Sequence, residues 1–206
     1  RRLVEYRLDY LEQKTLSFPG KITIDEKSDR IFISDSNHNR IVQTSINGEV
    51  VQTIGGVTSG FQDGDFILAA FNHPQGMVLD GNSLYVADTE NHAIRMIDLS
   101  EGYVETVAGI GTQASFGSIG GDSQSTSLNS PWDLELLGNL LYIAMAGCHQ
   151  IWAFDLGNRK VFPKIGSGRE DIIDGFYNLA ALAQTSGLCI DGDSLYFVDS
   201  ETSSVR

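Results

Sequence analysis

The chain has 206 residues, with 14 Lys and Arg against 27 Asp and Glu and a formal net charge of −13. A chain this acidic has no electrostatic footprint for phosphate backbones or anionic lipid, so neither nucleic acid nor a membrane surface is the expected partner. With 41% hydrophobic residues and 10 Phe it has the material for a packed core, and no stretch reaches the roughly 18 apolar residues of a membrane span.

In chain order, Arg1 to Lys14 places Leu3, Val4, Leu8 and Leu11 at spacings of one, four and three. That suits one side of an amphipathic helix, or an extended lead-in from another domain. No charged-then-apolar leader follows Arg1-Arg2, so a soluble cytoplasmic or organellar protein is expected. Cys148 and Cys189 form one bridge at most, and reduced thiols are the default. From Phe18 onward short Ile/Val/Leu/Tyr/Phe runs alternate with Asp-Gly, Asn-Gly and Gly-Gly turns, which reads as all-β hairpins.

An internal repeat decides the architecture. The segments Ile31–Ile41, Leu84–Ile94, Leu141–Ile151 and Leu195–Val205 align on Asp35, Asp88, Met145 and Asp199, which lie 53, 57 and 54 residues apart. Upstream of each stands Pro19, Pro74, Pro131 or Thr185, followed by an apolar strand and, in the later copies, a tight turn. Downstream of the first three is a strand ending in Gly55, Gly109 or Gly166. A period near 54 with four short strands predicts a β-propeller of four-stranded antiparallel blades, each hiding its neighbour's apolar face. The blades fall at about 18–56, 71–111, 128–168 and 182–206. In the second, strands A to D are expected at Met77–Asp80, Leu84–Ala87, Ala93–Asp98 and Tyr103–Ala108. About 3.5 blades are present, the expectation being part of a six-bladed ring.

The second copy, Phe71-Asn-His-Pro-Gln-Gly76 through Leu84-Tyr-Val-Ala-Asp-Thr-Glu-Asn-His-Ala-Ile-Arg95, resembles the NHL repeat. Asp63-Gly64, Asn129-Ser-Pro-Trp-Asp133 and Ala144–Trp152 narrow the resemblance to NHL propellers preceded by a thioredoxin-like domain and followed by a small β domain. The resemblance implies that residues 1–17 leave such a domain. No Cys-x-x-Cys occurs in the chain, so any redox centre would lie outside it.

The Asp35, Asp88 and Asp199 carboxylates are expected to cap local Asx-type turns, with Met145 breaking the rule. His38, Asn91, His92, Cys148 and His149 map to B–C loops at one end of the propeller, with Trp132 at the channel mouth, and together form a candidate binding face. Converging imidazoles suit a divalent metal; the resemblance implies that related propeller lyases place metal-ligating His in such loops. His92 and His149 are the candidates for such a site. The competing reading has each His packed against the next blade and bonded to backbone. Cys148 beside His149 suggests a nucleophile, or a buried inert thiol. Cys189 reads as core filler, and Gly117–Ser125 as a flexible D–A loop on the histidine face. Trp132 suits either a partner anchor or a wedge between blades. The expected function is a non-catalytic protein-interaction module without cofactor, binding a neutral or basic protein and the remaining blades and domains of its own longer chain. The alternative is a metal-dependent propeller lyase or hydrolase with a His-lined mouth.

Overall fold

A computed structural model describes residues 16–56 and 58–206. The predicted helix within residues 1–14, and most of the 1–17 linker, lie outside the described residues. The rest is a β-propeller segment of four antiparallel blades. Blade 1 comprises β1 (Pro19–Asp25), β2 (Arg30–Asp35), β3 (Arg40–Ser45) and β4 (Val50–Gly55). Blade 2 comprises β5 (Gly64–Asp65), β6 (Pro74–Asp80), β7 (Ser83–Asp88), β8 (Ala93–Asp98) and β9 (Tyr103–Ala108). Blade 3 comprises β10 (Gly121–Asp122), β11 (Pro131–Leu137), β12 (Leu140–Met145), β13 (Gln150–Asp155) and β14 (Lys160–Ile165). Blade 4 is described by β15 (Thr185–Asp191), β16 (Ser194–Asp199) and β17 (Ser204–Val205).

The strands alternate because successive side chains point to opposite sheet faces, and both faces of an inner blade are covered. In β7, Leu84 and Val86 face blade 1 and pack with Phe32, Ile41 and Ile54. Ala87 and Ile94 face the other way and pack with Leu134, Ile143 and Trp152 of blade 3. A third cluster joins Ala144 and Ile151 of blade 3 to Leu182, Leu188 and Phe197 of blade 4. The core is thus three seams between blades rather than one central mass. The four A strands (β1, β6, β11 and β15) lie side by side around the axis.

Two expectations need correcting. The Gly117–Ser125 stretch is not a loose loop beside the histidines. It descends the outer edge of blade 3, where Gly121 and Asp122 pair with Val161 and Lys160 at the start of β14, and Ser123 N–H donates to the Arg159 carbonyl at 2.9 Å. Gly120, at φ 83°, lets the chain lie against Val161, whose carbonyl a Cβ would strike. Gly64 and Asp65 pair with β9 of blade 2 in the same way, so each connection covers an otherwise bare edge strand. Cys189, expected as core filler, is exposed in this segment: Leu188 takes the blade 3 side of β15, so its neighbour faces the side on which the segment has no further blade. Among the described residues no helix is long and apolar enough to cross a membrane.

Candidate functional site

The B–C loops form one end of the propeller. Each B strand ends at its register residue and enters a single 3-10 turn: Ser36–His38, Thr89–Asn91, Ala146–Cys148 and Ser200–Thr202. The next residue (Asn39, His92, His149 or Ser203) is left-handed, with φ between 49° and 55°.

The register carboxylates do not cap their own turns. Asp35 Oδ1 accepts the Ser17 N–H, Asp88 Oδ1 the Asn72 N–H and Asp199 Oδ1 the Ala183 N–H, at 2.7, 2.7 and 2.6 Å, from donors 16 to 18 residues upstream. The expected Asx turn is therefore corrected to a long-range tie from the end of strand B to the entry of strand A. The second oxygen takes an arginine: Arg40 at 2.6 Å, Arg95 at 2.8 Å and Arg206 at 3.0 Å. Arg95 is fully buried between Phe61 and Phe71, its guanidinium carbon 5.3 and 5.1 Å from their centroids. It also donates to Asp63 and to the Ala70 and Gln62 carbonyls. Arg206 repeats this with Asp174, Ala181 and Ile173. Burial pushes Asp88 up to about 6, opposed most strongly by the charge of Arg95.

Blade 3 replaces the whole arrangement. Met145 stands for Asp88, Trp152 for Arg95 and Gly120 for Asp63. The Asn129 N–H meets Met145 Sδ at 3.3 Å, and Met145 and Trp152 belong to the apolar seam with blade 2.

The histidines serve the seams. Asn39 Oδ1 accepts the His73 N–H of blade 2 at 2.9 Å. In the equivalent position His92 Nδ1 accepts the Ser130 N–H of blade 3 at 3.0 Å, and His149 Nδ1 the Gln184 N–H of blade 4 at 3.1 Å. An accepting Nδ1 requires the neutral imidazole with its proton on Nε2, and burial holds His92 below its usual range. Beside these bonds Ser36 Oγ and Thr89 Oγ1 each donate to the carbonyl of the next blade's proline, Pro74 or Pro131, at 2.7 Å. At the third seam Ala146 has no hydroxyl, and Thr185, standing in the proline position, donates instead to the Gln150 carbonyl at 3.1 Å.

The predicted binding face is therefore largely spent on structure. His92 and His149 each accept an N–H in a separate seam, so their Nδ1 lone pairs are not available to a shared metal, and the donor set does not fit one. Among the described residues no group of three or more His, Cys, Asp or Glu converges. His38 belongs to a different column, that of Asn91, Cys148 and Thr202; its Nδ1 lies 2.8 Å from Asp35 Oδ2. Asn91 is buried, donating to Asp88 and to the Gly60 carbonyl. Cys148 is also buried, its Sγ 3.7 Å from the Met145 carbonyl, and burial pushes the thiol up to about 12, far from a reactive thiolate.

Trp132 is different: it is 41% exposed. The residues after the A-strand Pro/Thr anchors, Gly20, Gln75, Trp132 and Ser186, ring the axis at this end. The next positions are Lys21, Gly76, Asp133 and Gly187. Sequence reasoning missed that Lys21 and Asp133 break the Pro-x-Gly pattern as a complementary pair. Lys21 Nζ reaches both Asp133 oxygens at 2.7 Å, from blade 1 to blade 3 past blade 2. Gly76 leaves the space, because a Cβ there would collide with Asp133. Asp133 Oδ2 also accepts the Leu188 N–H at 2.8 Å. Trp132 borders a cavity of about 380 Å³ shared with Lys21, Gln75 and Ser186. On its other side lies one of about 310 Å³ lined by Ala146, Gln184, Ser186 and Ser200, at the seam that lacks the hydroxyl latch.

Antiparallel blades stacked seam to seam about an axis define a β-propeller, and an auxiliary nutrient binding protein from Bacteroides ovatus has a similar fold. Its TM-score is 0.72 at 14% identity, over 93% of this chain and 48% of that one, which speaks to fold alone. The NHL repeat family matches residues 71–95, the span from Phe71 through the buried Arg95. The chain is 42% identical over 224 residues to NHL repeat-containing protein 2 of Gallus gallus, covering 96% of this chain and 30% of the relative. It is 46% identical over 206 residues to Protein SUPPRESSOR OF QUENCHING 1, chloroplastic, of Arabidopsis thaliana, covering 95% of this chain and 19% of the relative. The chain therefore belongs to the NHL-repeat β-propellers, and it spans less than a third of the length of these curated relatives.

Proposed function

We propose that the chain is a non-catalytic protein-interaction module of a larger multidomain protein, joined there to a thioredoxin-like redox domain, and that it receives its partner at the channel mouth around Trp132. One observation carries the reading: the loop-face His, Asn and Cys side chains are engaged in seams and turns, while the large aromatic at the mouth is left 41% exposed between two cavities. Half-exposed Trp beside a pocket is the kind of residue that dominates binding energy at interfaces. The relatives' much greater length supports a module working within a larger protein.

The test is cross-linking in cell extract with the wild-type chain and with Trp132→Ala. At least one cross-linked protein is expected to disappear with the variant while the circular dichroism spectrum stays unchanged. An identical set of cross-links from both chains refutes the assignment of the mouth.

A further inference from the structure

Building on that reading, we infer that the Trp132 cavity takes an arginine side chain presented by a basic, extended segment of the protein partner. Three features of the third seam point this way. First, the cavity exists where the seam chemistry changes. At the other two seams a hydroxyl on the B–C turn reaches the next blade's proline carbonyl; Ala146 cannot, and the space between Ala146, Trp132 and the blade 4 residues is open to about 310 Å³. That is at the lower end of the volumes that admit a small ligand or a large side chain.

Second, the lining suits a planar cation. The exposed indole offers a face for stacking, and Arg is the side chain that combines stacking on Trp with several in-plane donors. Around it stand the Ser186 and Ser200 hydroxyls, bonded to each other at 2.6 Å, and the exposed Gln184 amide, whose side chain has no hydrogen-bond partner among the described residues. Those oxygens have acceptor capacity left for a guanidinium.

Third, the charge around the cavity is complementary. None of its five lining residues is charged. Glu201 adjoins Ser200 and is exposed. Glu170, largely exposed, lies 3.8 Å from Nε2 of His149, the residue that holds the Gln184 backbone. The neighbouring cations are already paired, Lys21 with Asp133 and Arg169 with Asp171. With a net charge of −13 behind it, the mouth attracts a basic segment during approach.

The test titrates the ¹⁵N-labelled chain with acetyl-Gly-Arg-Gly-Arg-Gly-amide and follows its two indole N–H signals. Trp152 is 2% exposed and donates to Gln150, so it serves as an internal control. The Trp132 signal is expected to shift and saturate while Trp152 stays put. The same peptide with citrulline, which keeps the shape without the charge, is expected to bind about tenfold more weakly, and the Glu peptide not at all. Trp132→Phe retains part of the binding and Trp132→Ala abolishes it. A Trp132 signal unmoved at millimolar Arg peptide overturns the inference, and so does equal binding of the Arg and citrulline peptides. If cross-linking still depends on Trp132 in either case, the mouth remains the interaction site and only the arginine assignment falls.

Discussion

Blades 2 and 3 solve one structural problem by opposite chemistry. Where strand B ends in blade 2, Asp88 and Arg95 form a buried ion pair that reaches out to the exposed Asp63, the guanidinium donating to four oxygens in all. In blade 3, Met145 and Trp152 fill the same place with apolar bulk, and Gly120 leaves the Asp63 position without a side chain. Either set works complete, because buried charges are tolerable when paired and replaceable when removed together. A mixed set is not tolerable. Met145 is thus not a lone exception to the aspartate rule but one member of a three-residue exchange.

The sharpest way to break this comparison is Trp152→Arg, which buries a guanidinium against Met145 with no carboxylate to meet it. A loss of about 3–5 kcal/mol is expected in urea unfolding, as for other buried charges stripped of a partner. The double variant Met145→Asp and Trp152→Arg, which leaves Gly120 in place because a Cβ there would strike Val161, is expected to regain most of it. If the double is no better than the single, the two positions are not coupled.

A smaller effect separates the seams. His92→Ala leaves the Ser130 N–H without its acceptor and is expected to cost about 1–3 kcal/mol at neutral pH. His92→Asn, which copies what Asn39 does one seam earlier, is expected to cost much less. The pH dependence sharpens the point. Burial lowers the folded His92 below its ordinary 6.5, so on acidification the unfolded chain takes up the proton first. The stabilisation is intact above about 6.5 and is lost as the pH falls below it. Asp88 has the opposite sign: raised to about 6 from 3.8, its contribution falls as the pH rises through that interval. Unfolding curves from pH 4.5 to 7.5 are therefore expected to lose less stability on acidification in His92→Asn than in wild type. An unchanged slope would detach His92 from the acid sensitivity.

The mildest probe is chemical. Iodoacetamide at pH 8 is expected to modify Cys189 and spare Cys148, which is buried with its thiol pushed up to about 12. Two adducts in the mass spectrum of the folded chain would mean that the seam between blades 2 and 3 opens.

The sequence made the blades legible because strand alternation and turn residues recur at one period. Strands expected at Ala93–Asp98 and Tyr103–Ala108 match β8 and β9, while the first residues of β6, one residue at each end of β7 and the short edge strand β5 were missed. The roles of His92 and His149 were less legible, since the bond partner of each lies in a different copy of the repeat. His92 meets a donor 38 residues away, and spacing within a copy says nothing about it. One signal was present. Asn39 occupies the same column as His92 and His149, and a column that accepts both Asn and His points to hydrogen-bond acceptance rather than to metal binding. The mouth was half legible: Trp132 stood out as a large aromatic, but Gln184, Ser186 and Ser200 are ordinary polar residues until the fold gathers them.

The edge strands Gly64–Asp65 and Gly121–Asp122 carry a consequence for anyone recutting this protein. Each precedes the motif that opens its copy, yet each is stitched to that copy's outermost strand. The genetic module and the mechanical one are out of step by several residues. A transplant beginning at Phe71 or Leu128 would leave its selvedge behind on the donor, whereas one beginning just after Gly56 or Gly111 would carry it along.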